Sequence, residues 1–331
     1  MRGGSRCPRG LSASSLYIIM DRTKGAYKMD GILPLWKEKG MTSHDCVFKL
    51  RKILGTKKVG HTGTLDPNVE GVLPICIGQA TKVAEYITDA GKEYVATISV
   101  GTATETEDAD GAVVASDLSP KRWTRYEIEQ VLDRLTGEIE QIPPMYSAVK
   151  VNGRKLYEYA RKGQEVERPK RIVRIEEIVL LDDRNLYEGN QITFDVRVVC
   201  GKGTYIRTLA VQIGELLGFP AHMASLVRTA SGSYRKEDCR TLDEVKETQE
   251  AGRIDSILRP LETALLDFPA VEVEETLYDQ LANGQVLPQH PQLADAALLV
   301  FSKDEKAIAI YKKHPTKEGL MKPEKMFPMN R

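Results

Sequence analysis

Gly60-His61-Thr62-Gly63-Thr64-Leu65-Asp66-Pro67 is the stretch on which the reading of this chain turns. It holds an imidazole, two hydroxyls, a glycine suited to backbone that other residues avoid, and an acid locked against a proline. The proline lacks an N–H and pushes Asp66 toward extended backbone, so the carboxylate sits on a stiff support. A rigid carboxylate beside an imidazole suits nucleophilic or acid–base work. An Asp-Pro pair serves equally well as an ordinary turn. The octapeptide alone leaves both readings open.

Working outward, Lys57-Lys58-Val59 leads into the stretch and Gly71-Val72-Leu73-Pro74-Ile75-Cys76-Ile77-Gly78 continues it. The whole run resembles the signature of the TruB family, bacterial tRNA pseudouridine synthases that act on the uridine at position 55 in the T loop. Further stretches resemble the family in order. Asp30-Gly31-Ile32-Leu33 begins the likeness, and Lys37-Glu38-Lys39-Gly40-Met41-Thr42-Ser43 follows it. Lys202-Gly203-Thr204-Tyr205-Ile206-Arg207 and Ala224-Ser225-Leu226-Val227-Arg228-Thr229 come later. Glu38 departs from the family pattern, which has proline there.

Periodicity and punctuation suggest the elements. Ser43 is expected to cap a helix over His44–Leu54, with Val47, Leu50 and Leu54 on one face and Gly55 closing it. Leu73–Ile77 reads as a buried strand, Thr81–Thr88 as a helix and Glu93–Val100 as a strand. Thr124-Arg125-Tyr126-Glu127 is a capping box that opens a helix with Ile128, Val131, Leu132 and Leu135 on one face and Gly137 at its end. Strands are expected over Ile172–Leu181 and Gln191–Cys200, joined by a polar turn through Asn185 and Gly189. A helix should end near Leu217-Gly218, and Ser231–Arg235 reads as the last strand before the Thr241–Glu244 capping box. Beyond about residue 267 come short β-like pieces (Val271–Val273, Leu298–Phe301, Ala307–Tyr311) and one helix (Thr276–Asn283).

Composition narrows the class. A chain of 331 residues suggests two domains, and 41% hydrophobic with 28% charged residues is ordinary for a globular protein. No apolar run reaches transmembrane length. Cys7, Cys46, Cys76, Cys200 and Cys239 form an odd, scattered set without a C-x-x-C pair, which argues against a disulfide framework or zinc site and for a reducing cytoplasm. The acidic run Thr104–Gly111 lacks EF-hand spacing, so calcium is rejected. Gly201-Lys202-Gly203-Thr204 lacks the first glycine of a Walker A loop. The 47 basic and 47 acidic residues cancel, yet residues 145–174 carry nine Lys or Arg against three Glu, while residues 104–117 carry five acids and no Lys or Arg. Such segregation suits a phosphate backbone, and a solvated loop is the plainer alternative.

The resemblance implies a pseudouridine synthase fold: an α+β architecture with a mixed, largely antiparallel central sheet, flanking helices and a small β-rich PUA-like C-terminal domain. It implies a catalytic domain over 29–266 with a basic thumb near 145–174, and a PUA-like RNA-binding domain over 267–331. Residues 1–28 read as an upstream extension outside the fold, with Met29 as a credible start. By position, Asp66 would be the nucleophile, Arg207 its cationic partner through two parallel hydrogen bonds, and Tyr94 the aromatic that stacks on a flipped base. His61, Tyr205, Leu226, Lys37 and Arg228 would bind substrate. No metal and no cofactor are implied, because the reaction only relocates a glycosidic bond. The implied partner is tRNA, through its T stem-loop and, by way of the C-terminal domain, its acceptor stem. A monomer without membrane attachment is expected. An RNA-binding factor without chemistry and a guide-RNA-dependent relative are the alternative readings.

Overall fold

The computed structural model describes residues 29–327, so the expected extension over 1–28 lies outside the described residues. In chain order the elements are β1 (Gly31–Lys37), α1 (Ser43–Leu54), β2 (Val59–His61), β3 (Glu70–Ile77), α2 (Ala84–Asp89), β4 (Lys92–Val100), β5 (Thr102–Thr104), β6 (Val113–Ser116), β7 (Lys121–Thr124), α3 (Arg125–Arg134) and β8 (Gly137–Gln141). There follow β9 (Lys150–Val151), β10 (Arg154–Lys155), α4 (Leu156–Ala160), β11 (Arg171–Leu180), β12 (Leu186–Gly189), β13 (Ile192–Cys200), α5 (Ile206–Leu217), β14 (Ala221–Ser231), β15 (Tyr234–Arg235) and α6 (Leu242–Glu250). The chain closes with β16 (Ala270–Glu272), α7 (Glu275–Ala282), β17 (Leu287–Pro288), β18 (Leu299–Lys303), β19 (Lys306–Lys313) and β20 (Leu320–Met326).

A nine-stranded sheet runs in the order β1-β3-β14-β4-β13-β11-β8, with β2 added to β3 and β15 to β14. Every pairing in it is antiparallel except β14 with β3. Alternation decides which face is buried. Tyr94, Ala96 and Ile98 of β4 and Phe194, Val196 and Val198 of β13 point into one core with Leu50 of α1, Ile128 of α3, Leu209 of α5 and Val245 of α6. On the opposite face Glu93 pairs with Arg197, Thr229 donates to Glu93, and Thr97 donates to Asp195. The architecture is the expected α+β, largely antiparallel one.

A second sheet, β16-β18-β19-β20-β17, occupies the C-terminal region. It is not hung on a free joint. Val300, Ala307, Ile310 and Phe327 share a core with Ile32, Val72, Cys76, Val83 and Ile87 of the larger unit.

Several local expectations are corrected. Thr42, rather than Ser43, caps α1: Asp45 lies three residues after Thr42, and the two exchange the reciprocal bonds of a capping box. Ser43 turns inward instead. The helix expected over 81–88 is split into a 3-10 turn, Gly78–Lys82, and α2, with the break at Val83, which is fully buried in the shared core. The polar turn expected between β11 and β13 contains β12, which pairs with β7. Gly137 begins β8 rather than ending α3. Ala224–Thr229 lies inside the long β14, so Ser231 ends a strand where one was expected to start. The capping boxes at Thr124 and Thr241 form as read.

The parallel seam is the tightest point in the sheet. Gly71 sits opposite Arg228 at φ 135°, and a Cβ there would stand 2.3 Å from the Arg228 carbonyl oxygen. Backbone cannot yield as a side chain does, so Gly71→Ala should destabilise by about 3 kcal/mol, the upper part of the overpacking range. Denaturant unfolding checks this, and a loss under about 1 kcal/mol would show that the seam can spread.

Candidate active site

The loop joining β2 to β3 carries Asp66, and four neighbours hold its backbone. Leu65 N–H donates to the Ser43 Oγ at 2.9 Å, and Gly40 N–H donates to the Pro67 carbonyl at 2.9 Å. The Lys37 ammonium donates to the same carbonyl at 3.1 Å and to the Glu38 carbonyl at 2.9 Å. Thr62, fully buried, donates through its hydroxyl to the Pro74 carbonyl at 3.0 Å. Asp66 closes the turn by accepting Val69 N–H at its carbonyl, 3.1 Å away. The carboxylate is thus fixed from below and presented upward.

Arg207, in the first turn of α5, reaches it. Its Nη2 lies 3.1 Å from Asp66 Oδ2 and its Nη1 lies 3.6 Å from Asp108 Oδ2. The expected fork onto one carboxylate is therefore not formed: the guanidinium is divided between two acids. It also donates to the carbonyls of Thr106 at 3.2 Å and Tyr146 at 3.0 Å. The Arg207 side chain is 6% exposed and that of Asp66 41% exposed. Burial pushes the Asp66 carboxyl above its ordinary value, Arg207 opposes the shift, and Asp108 adds to it.

Asp108 is the residue that sequence reasoning missed. The acidic run reads in the sequence as a rejected calcium loop and as a negative patch, and the partner of Asp108 lies about a hundred positions downstream. Among the described residues no cluster suited to a metal ion occurs. The run instead clamps the site: Glu107 accepts from the Thr208 hydroxyl at 3.0 Å and approaches Arg168 at 3.8 Å, and Asp110 accepts from the Asn68 amide at 2.8 Å. The excess of acid there was the available signal.

The other expected residues fall into two groups. Tyr94 stands opposite Arg228 on the β4–β14 ladder, and Leu226 opposite Ala96 two positions away. Burial raises the Tyr94 phenol, while the charge and hydrogen bond of Arg228 hold it down. His61 ends β2 and accepts Gly63 N–H at Nδ1, 3.3 Å away. Burial, then the Arg228 charge, lowers its pKa, so the ring is neutral and carries its proton on Nε2. Tyr205 precedes α5 and is held at both backbone ends by the Gln141 amide, at 2.9 and 3.3 Å.

Lys37 and Arg228 differ from these. Both are buried, Lys37 completely, and both spend their charge on backbone. Arg228 donates to the Val72 carbonyl at 2.7 Å and to the Gly63 carbonyl at 3.4 Å. Burial lowers the Lys37 pKa. Both side chains support the loop that bears Asp66 and the strand that follows it.

The basic segment is folded into structure. Asn152 and Gly153, at φ 50° and 80°, turn the β9–β10 hairpin, and α4 follows. Lys155 and Arg161 both lie 5.3 Å from the Tyr157 ring centroid, and Tyr157 N–H donates at 3.2 Å to the carbonyl of Ser147, next to the Tyr146 carbonyl that anchors Arg207.

Two family models match: the TruB family pseudouridylate synthase N-terminal domain over residues 51–206, and the tRNA pseudouridylate synthase B C-terminal domain over residues 207–266. The chain belongs to the TruB family. A tRNA pseudouridine synthase B from Bacillus cereus is 53% identical over 302 residues, covering 91% of this chain and 98% of that protein. One from Geobacillus thermodenitrificans is 54% identical over 301 residues, covering 90% and 100%. Among solved structures, a chain of a Cbf5-Nop10-Gar1 complex aligns with a TM-score of 0.67 and 29% identity, covering 90% of this chain and 85% of that one. Another, in an H/ACA RNP bound to a substrate RNA containing 2'-deoxyuridine, aligns with a TM-score of 0.66 and 26% identity, covering 90% and 85%. As a TruB-family member the protein is an RNA pseudouridine synthase, an isomerase. Among the described residues no helix is long and apolar enough to cross a membrane.

The geometry of Lys37 gives a test. Lys37→Met keeps the buried volume but removes the tie to Pro67, so kcat should fall about tenfold or more while the salt dependence of RNA binding stays the same. A salt slope reduced by nearly one unit would instead make Lys37 a phosphate contact.

Proposed function

We propose that the protein isomerises the uridine at position 55 in the T loop of tRNA to pseudouridine, with Asp66 as nucleophile and no cofactor. The observation that carries this is the Asp66–Arg207 ion pair on the braced loop, with Tyr94 in the adjoining strand pair. In the reaction the bond from C1′ to N1 breaks, the base turns, and a bond from C1′ to C5 forms. N1 gains a proton and the C5 proton leaves to solvent, so electrons balance without any redox partner. A carboxylate must be ionised to attack, and Arg207 offsets the burial that disfavours that form.

The target base is stacked in its loop and must be extruded, at a cost of about a few kcal/mol. Tyr94 is assigned the stacking contact with the extruded base and the relay of the C5 proton, its hydroxyl oxygen accepting that proton as its own passes to solvent. His61 fills the space the nucleotide vacates, and its neutral state avoids a desolvated charge there. Tyr205 and Leu226 line the pocket; Lys37 and Arg228 hold its floor. The segment 145–174 grips the RNA backbone. Residues 267–327 act as a PUA-like module on the acceptor stem, within a monomeric cytoplasmic enzyme. Because their sheet shares a core with the larger unit, removing them would uncover Ile32, Val72 and Cys76.

Tritium release from C5-labelled uridine in an unmodified T-arm stem-loop tests the assignment, with a linear oligomer as comparison. Release from the stem-loop alone is expected, since a linear strand must be ordered on binding at about 1 kcal/mol or more per residue. Absence of release from both would leave only an RNA-binding factor.

Asp66→Asn should abolish release while changing RNA affinity by less than about tenfold, or 1.4 kcal/mol. Turnover by that variant would remove Asp66 from the nucleophile role. The working form is the carboxylate and its folded-state pKa is raised, so activity should be lost as pH falls through a limb above the ordinary carboxylate value of about 4. The same shift means that the ionised form costs stability at neutral pH, a cost absent below the unfolded pKa. Asp66→Asn should therefore melt no lower than the parent; a clear drop would show that the ion pair outweighs burial.

A further inference from the structure

We infer that the outer face of α1, with the turn at Gly55–Lys58, binds the phosphate backbone of the substrate RNA beside the target loop. The inference rests on the RNA-modifying role proposed above and adds a surface to it. Lys39, Lys49, Arg51, Lys52, Lys57 and Lys58 are all exposed there, against only Glu38 and Asp45. Asp45 is taken up by the Thr42 cap. Among the described residues none of the six cations has a carboxylate within ion-pair distance, although α6, packed against α1, carries Asp243, Glu244, Glu247 and Glu250. Other surface cations such as Lys170, Arg197, Lys202 and Lys325 pair with acids, whereas Lys150, Arg154, Lys155 and Lys162 of the basic segment share the unpaired state of the α1 face.

Phe48 breaks the charge with a ring that is 53% exposed, and Lys52 lies 4.4 Å from its centroid. A pair of this kind is a local contact between residues one turn apart on the helix surface. That does not account for the other unpaired lysines, whose mutual repulsion a bound polyanion would relieve. Aromatic surface among cations suits ribose and base contact beside phosphate contact. The twelve residues of α1 extend about 18 Å, enough to face several phosphates. The surface also continues directly into the site: Lys58 adjoins β2, its carbonyl accepts Gly78 N–H at 2.8 Å, and the Arg51 guanidinium donates to the Val59 carbonyl at 3.1 Å. The backbone of an RNA whose loop reaches Asp66 passes within range of this face.

The test is Lys49→Gln, Lys52→Gln, Lys57→Gln and Lys58→Gln combined, sparing Arg51 because it braces β2. Binding of an unmodified full-length tRNA transcript is measured over a series of salt concentrations, with kcat and KM from tritium release and a thermal melt as a check on folding. The slope of log K against log salt should fall by roughly 3, at 0.7–0.9 per lost contact. KM should rise tenfold or more with kcat within twofold. An unchanged slope and KM in a folded variant would overturn the inference, as would a fall in kcat at constant KM. Failure of the parent protein to release tritium, with the slope change intact, would strike the proposed reaction and leave this surface standing as an RNA contact.

Discussion

A buried guanidinium needs partners on every side, and Arg207, at the start of α5, finds them on three other segments. The Asp66 loop, Asp108 with the Thr106 carbonyl, and the Tyr146 carbonyl all converge on it. Taking such a cation from water costs several kcal/mol unless charge and hydrogen bonds replace the lost hydration. That requirement fixes where the acidic run and the base of the basic segment must lie. It also ties the base of the basic segment to the loop that bears Asp66.

The loop bearing Asp66 shows the same economy on its other side. Ser43, Gly40 and Lys37 come from the one stretch that ends β1 and begins α1, and all three bind its backbone. Ser43 cannot cap α1 while it serves Leu65, and Thr42 can, because Asp45 stands at the right offset from it. The adjacent hydroxyls divide two tasks. Replacing either would disturb both the helix start and the presentation of the carboxylate.

What could be read in the sequence was whatever depends on near neighbours. The Thr124 and Thr241 capping boxes, the glycine closures of α1 and α5, and the alternation in β4 and β13 all rest on spacings of a few residues. The loop motif and the Lys202–Arg207 motif were legible through family resemblance, which carries long-range information that periodicity lacks. What stayed hidden depends on distant partners. Asp108 meets Arg207 across about a hundred residues, β12 finds β7 rather than its neighbours, and the C-terminal sheet buries Val83 and so interrupts a helix. Lys37 and Arg228 carry charge in the sequence, and only packing shows that their charge is consumed by carbonyls.

The divided guanidinium bears on how a half-buried carboxylate could remain reactive. A two-toothed fork would hold both oxygens of Asp66 and bring its pKa down, at the expense of a free lone pair. Here only Oδ2 faces Arg207, and Asp108 draws the other arm away. Asp108 also raises the Asp66 pKa, which keeps its oxygen more basic than an ordinary carboxylate. Burial and the second acid thus work against ionisation, and Arg207 works for it. A carboxylate held between these opposing influences keeps one oxygen clear of the guanidinium. On this argument the acidic run sets the reactivity of the proposed nucleophile as well as the position of its cation.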